Sequence, residues 1–193
     1  MEKLNQFLLL KPFLKMISEG TFFAKIFAWF LRILAVLAVI AFCASSYGLW
    51  AMLGMGFEVK LIIFIILTQI FFIALLYVAL NILLVRSSDI EDLPSAADYK
   101  VIPIFVIVMK MIGELLAAFH SIMGIAAGLA IWILGTMPGI IPGMRFFRGT
   151  GGFVGGLSAI ILGPVLGFLL LSLFYMIAEQ IGVFVDIARN TKR

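Results

Sequence analysis

Charged side chains are scarce in this sequence, and that scarcity identifies the solvent. Only 12% of the 193 residues are charged while 64% are hydrophobic, whereas a soluble domain is closer to one quarter charged and one half apolar. A folded water-facing surface cannot be built from such a supply, so the chain resides in lipid. Cysteine is nearly absent too. The single Cys43 lies inside an apolar run, which rules out a disulfide framework or a thiolate metal site within one chain and leaves it as packing. Histidine is represented once, by His120, so a two-histidine metal or haem site within the chain is excluded. The segment rich in glycine lacks the Lys-Ser/Thr pair of a phosphate loop, and no GxSxG elbow occurs. No constellation for catalysis is present, and the expectation is a protein that is not an enzyme and carries no cofactor.

What is present is apolar sequence in long runs. A bilayer core calls for roughly 20 apolar residues per helix. Four runs meet that length: about Ile26 to Tyr47, Leu61 to Val85, Pro103 to Leu134 and Phe153 to Ile177. The fold class expected is an all-α integral membrane protein, with four transmembrane helices in two hairpins plus an N-terminal interfacial helix. Residues 1–20 mix leucines with Lys3, Lys11 and Lys15, too interrupted to span and without the long apolar core of a signal peptide, so they form that interfacial helix. Residues 21–85 form the first hairpin, 86–100 (RSSDIEDLPSAADYK) a polar acidic loop in water, and 101–193 the second hairpin, with a Gly- and Pro-rich loop at 135–152. The third run corresponds to about 45 Å of helix, longer than the hydrocarbon core, so its first turns are expected among the headgroups.

The net charge of +4 does not point to nucleic acid, because the basic residues stand at the ends of apolar runs rather than on a continuous face. They act instead as topology signals. Lys3, Lys11, Lys15, Lys25, Arg32, Arg86, Lys100, Lys110, Arg189, Lys192 and Arg193 fall on one side, and Lys60, Arg145 and Arg148 on the other. The positive-inside rule then places both termini and the acidic loop in the cytoplasm. The halves show a weak echo of each other, Lys25 and Ala28 against Lys110 and Gly113, and Tyr77 against Tyr175.

Small residues mark two seams. On the third run Gly113, Ala117, His120, Gly124 and Gly128 recur at helical spacing, and on the fourth Gly152, Gly156, Ala159, Gly163 and Gly167 repeat the pattern. In lipid, helices associate where small side chains let backbones approach. These faces either pack the third helix on the fourth within the chain, join neighbouring subunits, or line a passage or lipid site. His120 sits in the first stripe. It is either a histidine bonded to a carbonyl across the seam or an axial ligand for which Gly124, one turn on, leaves room.

Ionisable residues in or beside the spans are Arg32, Lys110, Glu114, Glu179 and Asp186. Such groups are costly in hydrocarbon and mark candidate sites. Lys110 and Glu114 are four apart and share a helix face. All five lie toward the cytoplasmic ends of their helices, where they either snorkel to the headgroups or form one cluster for a proton step, a lipid headgroup or subunit docking.

The C-terminal run Glu179-Gln-Ile-Gly-Val-Phe-Val-Asp-Ile-Ala-Arg-Asn-Thr191, together with Lys110-Met-Ile-Gly113, resembles an uncharacterised bacterial family of small two-span inner-membrane proteins. That family has a Glu near the end of its last span, then an apolar stretch, an Ile and a terminal Asn. The resemblance covers only about residues 100–193, and Asp186 stands where the family has a basic residue. It implies a bacterial inner membrane and paired helices, with no activity to carry over. The functional expectation is a non-enzymatic subunit or scaffold that oligomerises or docks to a larger membrane complex through its glycine-rich faces, in contact with membrane lipids. The alternative is a small oligomeric channel or transporter for ions, protons or lipids.

Overall fold

The computed structural model describes residues 21–55, 58–93, 101–135 and 151–191. The expected interfacial helix at 1–20 and most of the Gly-rich loop lie outside them. Four long helices make up the described chain: α1 (Thr21–Ala51), followed by a single 3-10 turn at Met52–Met55, then α2 (Val59–Glu91), α3 (Ile102–Leu134) and α4 (Gly152–Thr191). Among the described residues there is no β-strand. All four helices are long and apolar enough to cross a membrane, which makes this a multi-pass membrane protein.

The helix ends depart from the expected boundaries, always outward. α2 runs on to Glu91, so Arg86 to Glu91 are helical instead of opening an aqueous loop. α4 continues past Ile177 to Thr191 through the polar tail. The reason is that an apolar run measures the thickness of hydrocarbon, not the length of a helix. No glycine or proline falls between Arg86 and Leu93 to stop α2, and polar residues, at a modest cost in propensity, can continue a helix into water or headgroups. α3 ends where expected, because Gly135 takes a left-handed conformation (φ 77°) and its N–H donates to the Ile131 carbonyl at 2.8 Å.

The helices pack in chain order, α1 on α2, α2 on α3 and, most extensively, α3 on α4. The core is correspondingly thin. At one end Ala28, Leu31 and Ala35 of α1 close on Leu83 and Ile90 of α2 and on Ile104 and Met111 of α3. Toward the other end Met123, Ala127 and Ile131 of α3 pack with Ala159 of α4, and Leu49, Phe64, Ile65 and Ala130 form a third group. Large apolar side chains such as Trp29, Ile70, Phe168 and Leu169 face outward. That distribution suits a protein whose surroundings are as apolar as its interior.

The first hairpin carries a small-residue contact of its own, which periodicity did not reveal. Ala28, Leu31 and Ala35 are buried on α1, and the Ser87 hydroxyl of α2 donates to the Ala28 carbonyl at 3.1 Å. Nearer the opposite end, Gln69 Nε2 donates to Ser46 Oγ at 3.1 Å.

Candidate functional site

The site is built on the seam between α3 and α4. Their small residues meet in antiparallel register, so that positions climbing α3 face positions descending α4. A Cβ placed on Gly113 would stand 2.7 Å from the Cβ of Phe174, and one on Gly167 would stand 2.7 Å from both the Ala117 carbonyl oxygen and Ser121 Oγ. One on Gly124 would stand 2.6 Å from the Gly163 Cα and 3.0 Å from the Ala159 oxygen. Further along, Gly128 lies against the Gly156 carbonyl and Ile160, and Gly156 against the indole of Trp132. Trp132 closes this end, donating from Nε1 to the Phe153 carbonyl at 3.0 Å and stacking on the Phe153 ring with centroids 5.5 Å apart. Gly152 stands apart from the seam: it starts α4 with φ 71° and nothing lies within 4 Å of its Cβ position. The space of the absent side chains is thus taken by backbone and side chains of the neighbouring helix, and apart from Gly152 the glycines of both stripes are covered inside one chain.

His120 contributes its carbonyl to this seam, 2.7 Å from a Cβ on Gly163. Its imidazole does not bond across to α4. Nδ1 lies 2.8 Å from the Leu116 carbonyl of its own helix, and the ring sits edge-on to Phe119. The room expected beside Gly124 for a macrocycle is filled by Gly163, which does not fit the reading of His120 as an axial ligand.

Above the seam, three helices converge on one carboxylate. Arg86 of α2 grips Glu114 of α3 with a two-pronged guanidinium, Nε donating to Oε2 at 3.0 Å and Nη2 to Oε1. The Tyr175 hydroxyl of α4 donates to the same Oε1 at 2.6 Å. The remaining arm of Arg86, Nη1, donates to Asp89 Oδ2 at 2.7 Å one turn along α2. Lys110, which shares a helix face with Glu114, forms no salt bridge to it among the described residues. Its Nζ lies 5.3 Å over the Tyr175 ring, a cation–π contact that holds the ammonium on the same cluster. Two cations and two carboxylates leave this group neutral. The side chains of Arg86 and Glu114 are only 21% and 19% exposed, and the fork shape of guanidinium and carboxylate satisfies most of their hydrogen-bonding capacity in one geometry.

The other charges expected in the cluster lie elsewhere. Arg32 of α1 pairs with Glu91 of α2. Because Ala28 is level with Ser87, Arg32 starts one turn deeper and Glu91 one turn further out, so the arginine reaches toward the membrane surface. Glu179 and Asp186 are exposed on α4, without a partner among the described residues. Arg86 and Tyr175 are the members that spacing along the sequence did not assign. Helical continuation through RSSDIE, unbroken until Pro94, was the signal for Arg86.

A partly open apolar cavity of about 270 Å³ lies between α1, α2 and α3, lined among others by Ala38, Phe42, Phe72, Ala79, Phe119 and Met123. Among the described residues no cluster of His, Cys, Asp or Glu could hold a metal ion. The arrangement is a clamp: a neutral, mutually satisfied polar knot that fixes the register of α2, α3 and α4. No family model, curated protein or solved structure matches the chain.

Proposed function

We propose that this chain is a non-enzymatic membrane scaffold or subunit, seated in a bacterial inner membrane with both termini in the cytoplasm, that assembles with further membrane chains. The observation that carries the reading is the clamp. The guanidinium, the carboxylate and the phenol, half-buried between helices, bind one another, so the carboxylate shared by α2, α3 and α4 is already paired. The cavity between α1, α2 and α3 is lined almost wholly by apolar side chains, with Ser45 its one polar residue, a poor lining for an ion. Assembly then runs through outer faces, since the glycine stripes are covered within the chain. The excess of basic residues on one side of the spans supports the orientation, and the resemblance at Glu179–Thr191 supports the bacterial membrane.

The test is subunit counting by stepwise photobleaching of the full chain in dilute proteoliposomes, alongside flux assays for protons, ions and fluorescent lipids. Particles of more than one chain without flux are expected. Single chains that conduct or flip lipid would replace this reading with the transporter.

A further inference from the structure

Opposite its packed side, α2 presents a stripe that has no partner among the described residues. Ile70, Ala74, Tyr77, Asn81, Leu84 and Ser88 are all exposed, and they recur at spacings of 4, 3, 4, 3 and 4. That is the heptad seam of a left-handed helix pair. Half a helical turn away are the residues that α2 buries, Phe64, Ile65, Thr68, Leu83, Ser87 and Ile90.

Two members of the stripe are polar where they face hydrocarbon. Asn81 lies ~7 Å and Tyr77 ~13 Å inward from Arg86 at 1.5 Å per residue. Asn81 Nδ2 donates to the Tyr77 carbonyl at 2.8 Å. Among the described residues nothing donates to Asn81 Oδ1 or bonds to the Tyr77 hydroxyl, and Tyr77 is 69% exposed. An amide and a phenol with open valences are costly against lipid chains. Tyr77 therefore differs from its sequence echo Tyr175, whose hydroxyl is bonded at the clamp.

We infer that this face of α2 binds a second copy of the same chain in a parallel, two-fold symmetric dimer, with Asn81 paired to Asn81 at its centre. The inference rests on the assembly reading above and names its partner. Copies inserted in one orientation can form a closed pair only about an axis along the membrane normal, and such an axis brings each residue of the seam to its own counterpart at equal depth. An amide carries both donor and acceptor, so it is complementary to itself. Ala74 and Ser88, small residues one and two turns from the polar pair, let the helices approach. A single asparagine at such a position also selects register and favours one oligomeric state.

The experiment uses the full chain in liposomes, with Cys43→Ser removing the exposed native thiol. Under mild oxidation Tyr77→Cys and Leu84→Cys are expected to form disulfide-linked homodimers. Phe168→Cys, equally outward on α4, is expected to stay monomeric. In the same liposomes Asn81→Leu is expected to weaken dimerisation roughly 3- to 20-fold, the range for an interhelical polar contact in lipid, and Asn81→Gln to keep most of it. Dimers that cross-link through Phe168→Cys instead, or an Asn81→Leu dimer of unchanged stability, would overturn this face while leaving assembly itself standing. Single chains at every protein-to-lipid ratio would overturn the self-pairing. A hetero-complex that covers Tyr77→Cys, with no homodimer, would keep the scaffold and overturn the self-pairing.

Discussion

Gly124 and Gly163 meet backbone to backbone: a Cβ added to either would stand 2.6 Å from the other's Cα. No side chain could be inserted there without separating α3 from α4. This close approach of the two helices lies within one chain, and the glycines belong to its folding before they belong to any assembly.

Gly163→Ala should destabilise the chain by about 1–3 kcal/mol, as overpacking of a closed interface does. Gly182→Ala, on the same helix with nothing within 4 Å of its Cβ position, should be neutral or stabilising by up to about 1 kcal/mol, because alanine is the better helix former. Unfolding of the two variants in mixed micelles of increasing denaturing detergent separates them, and equal midpoints would contradict the seam.

Glu114→Gln should cost about 1–3 kcal/mol. It leaves Arg86 with Asp89 as its one carboxylate, and stranding a buried charge is strongly destabilising, here moderated by the one-fifth exposure of both side chains and by the Asp89 contact. The same detergent titration measures it. Arg86→Gln in the Glu114→Gln background should lose less than the sum of the two single changes, since both act on one knot.

Tyr175→Phe removes only the hydroxyl that donates to Glu114 at 2.6 Å. A loss of about 1 kcal/mol is expected, with the fold retained. Tyr77→Phe, at the unpartnered phenol of α2, should leave the stability of the single chain unchanged, so that comparing the two tyrosines in monomeric micelles tells a bonded phenol from a free one.

Arg32→Gln should matter little, about 0–1 kcal/mol, because its pair with Glu91 is 41% and 36% exposed and screened by salt. Its small effect should vanish in high salt, whereas that of Glu114→Gln should persist. Equal salt sensitivity of the two variants would mean that the Arg86–Glu114 contact is as wet as the Arg32–Glu91 one.

How far the residues could be read without the fold differs from site to site. The small-residue periodicity on the third and fourth runs was legible because spacing alone puts Gly113, Ala117, Gly124 and Gly128 on one face. Which helix would cover that face was not, since α4, α1 or another molecule would satisfy the same spacing. Lys110 and Glu114 were legible as neighbours on one helix, yet a pair four apart competes with partners from other helices. Arg86 offers Glu114 two parallel hydrogen bonds, and Lys110, a point charge on a flexible stem, settles over the Tyr175 ring.

Composition and run length by themselves determined that the chain crosses a membrane in four helices, because a bilayer admits apolar segments of one narrow length range and punishes every other arrangement of unsatisfied backbone. Only the tertiary structure decided which polar groups meet and which faces remain open. Hydrocarbon drives each helix into the bilayer but exerts little force between helices, so partners are selected by close contact: Gly124 against Gly163, Arg86 and Tyr175 on Glu114, and the outward Asn81 left with its amide oxygen unbonded among the described residues.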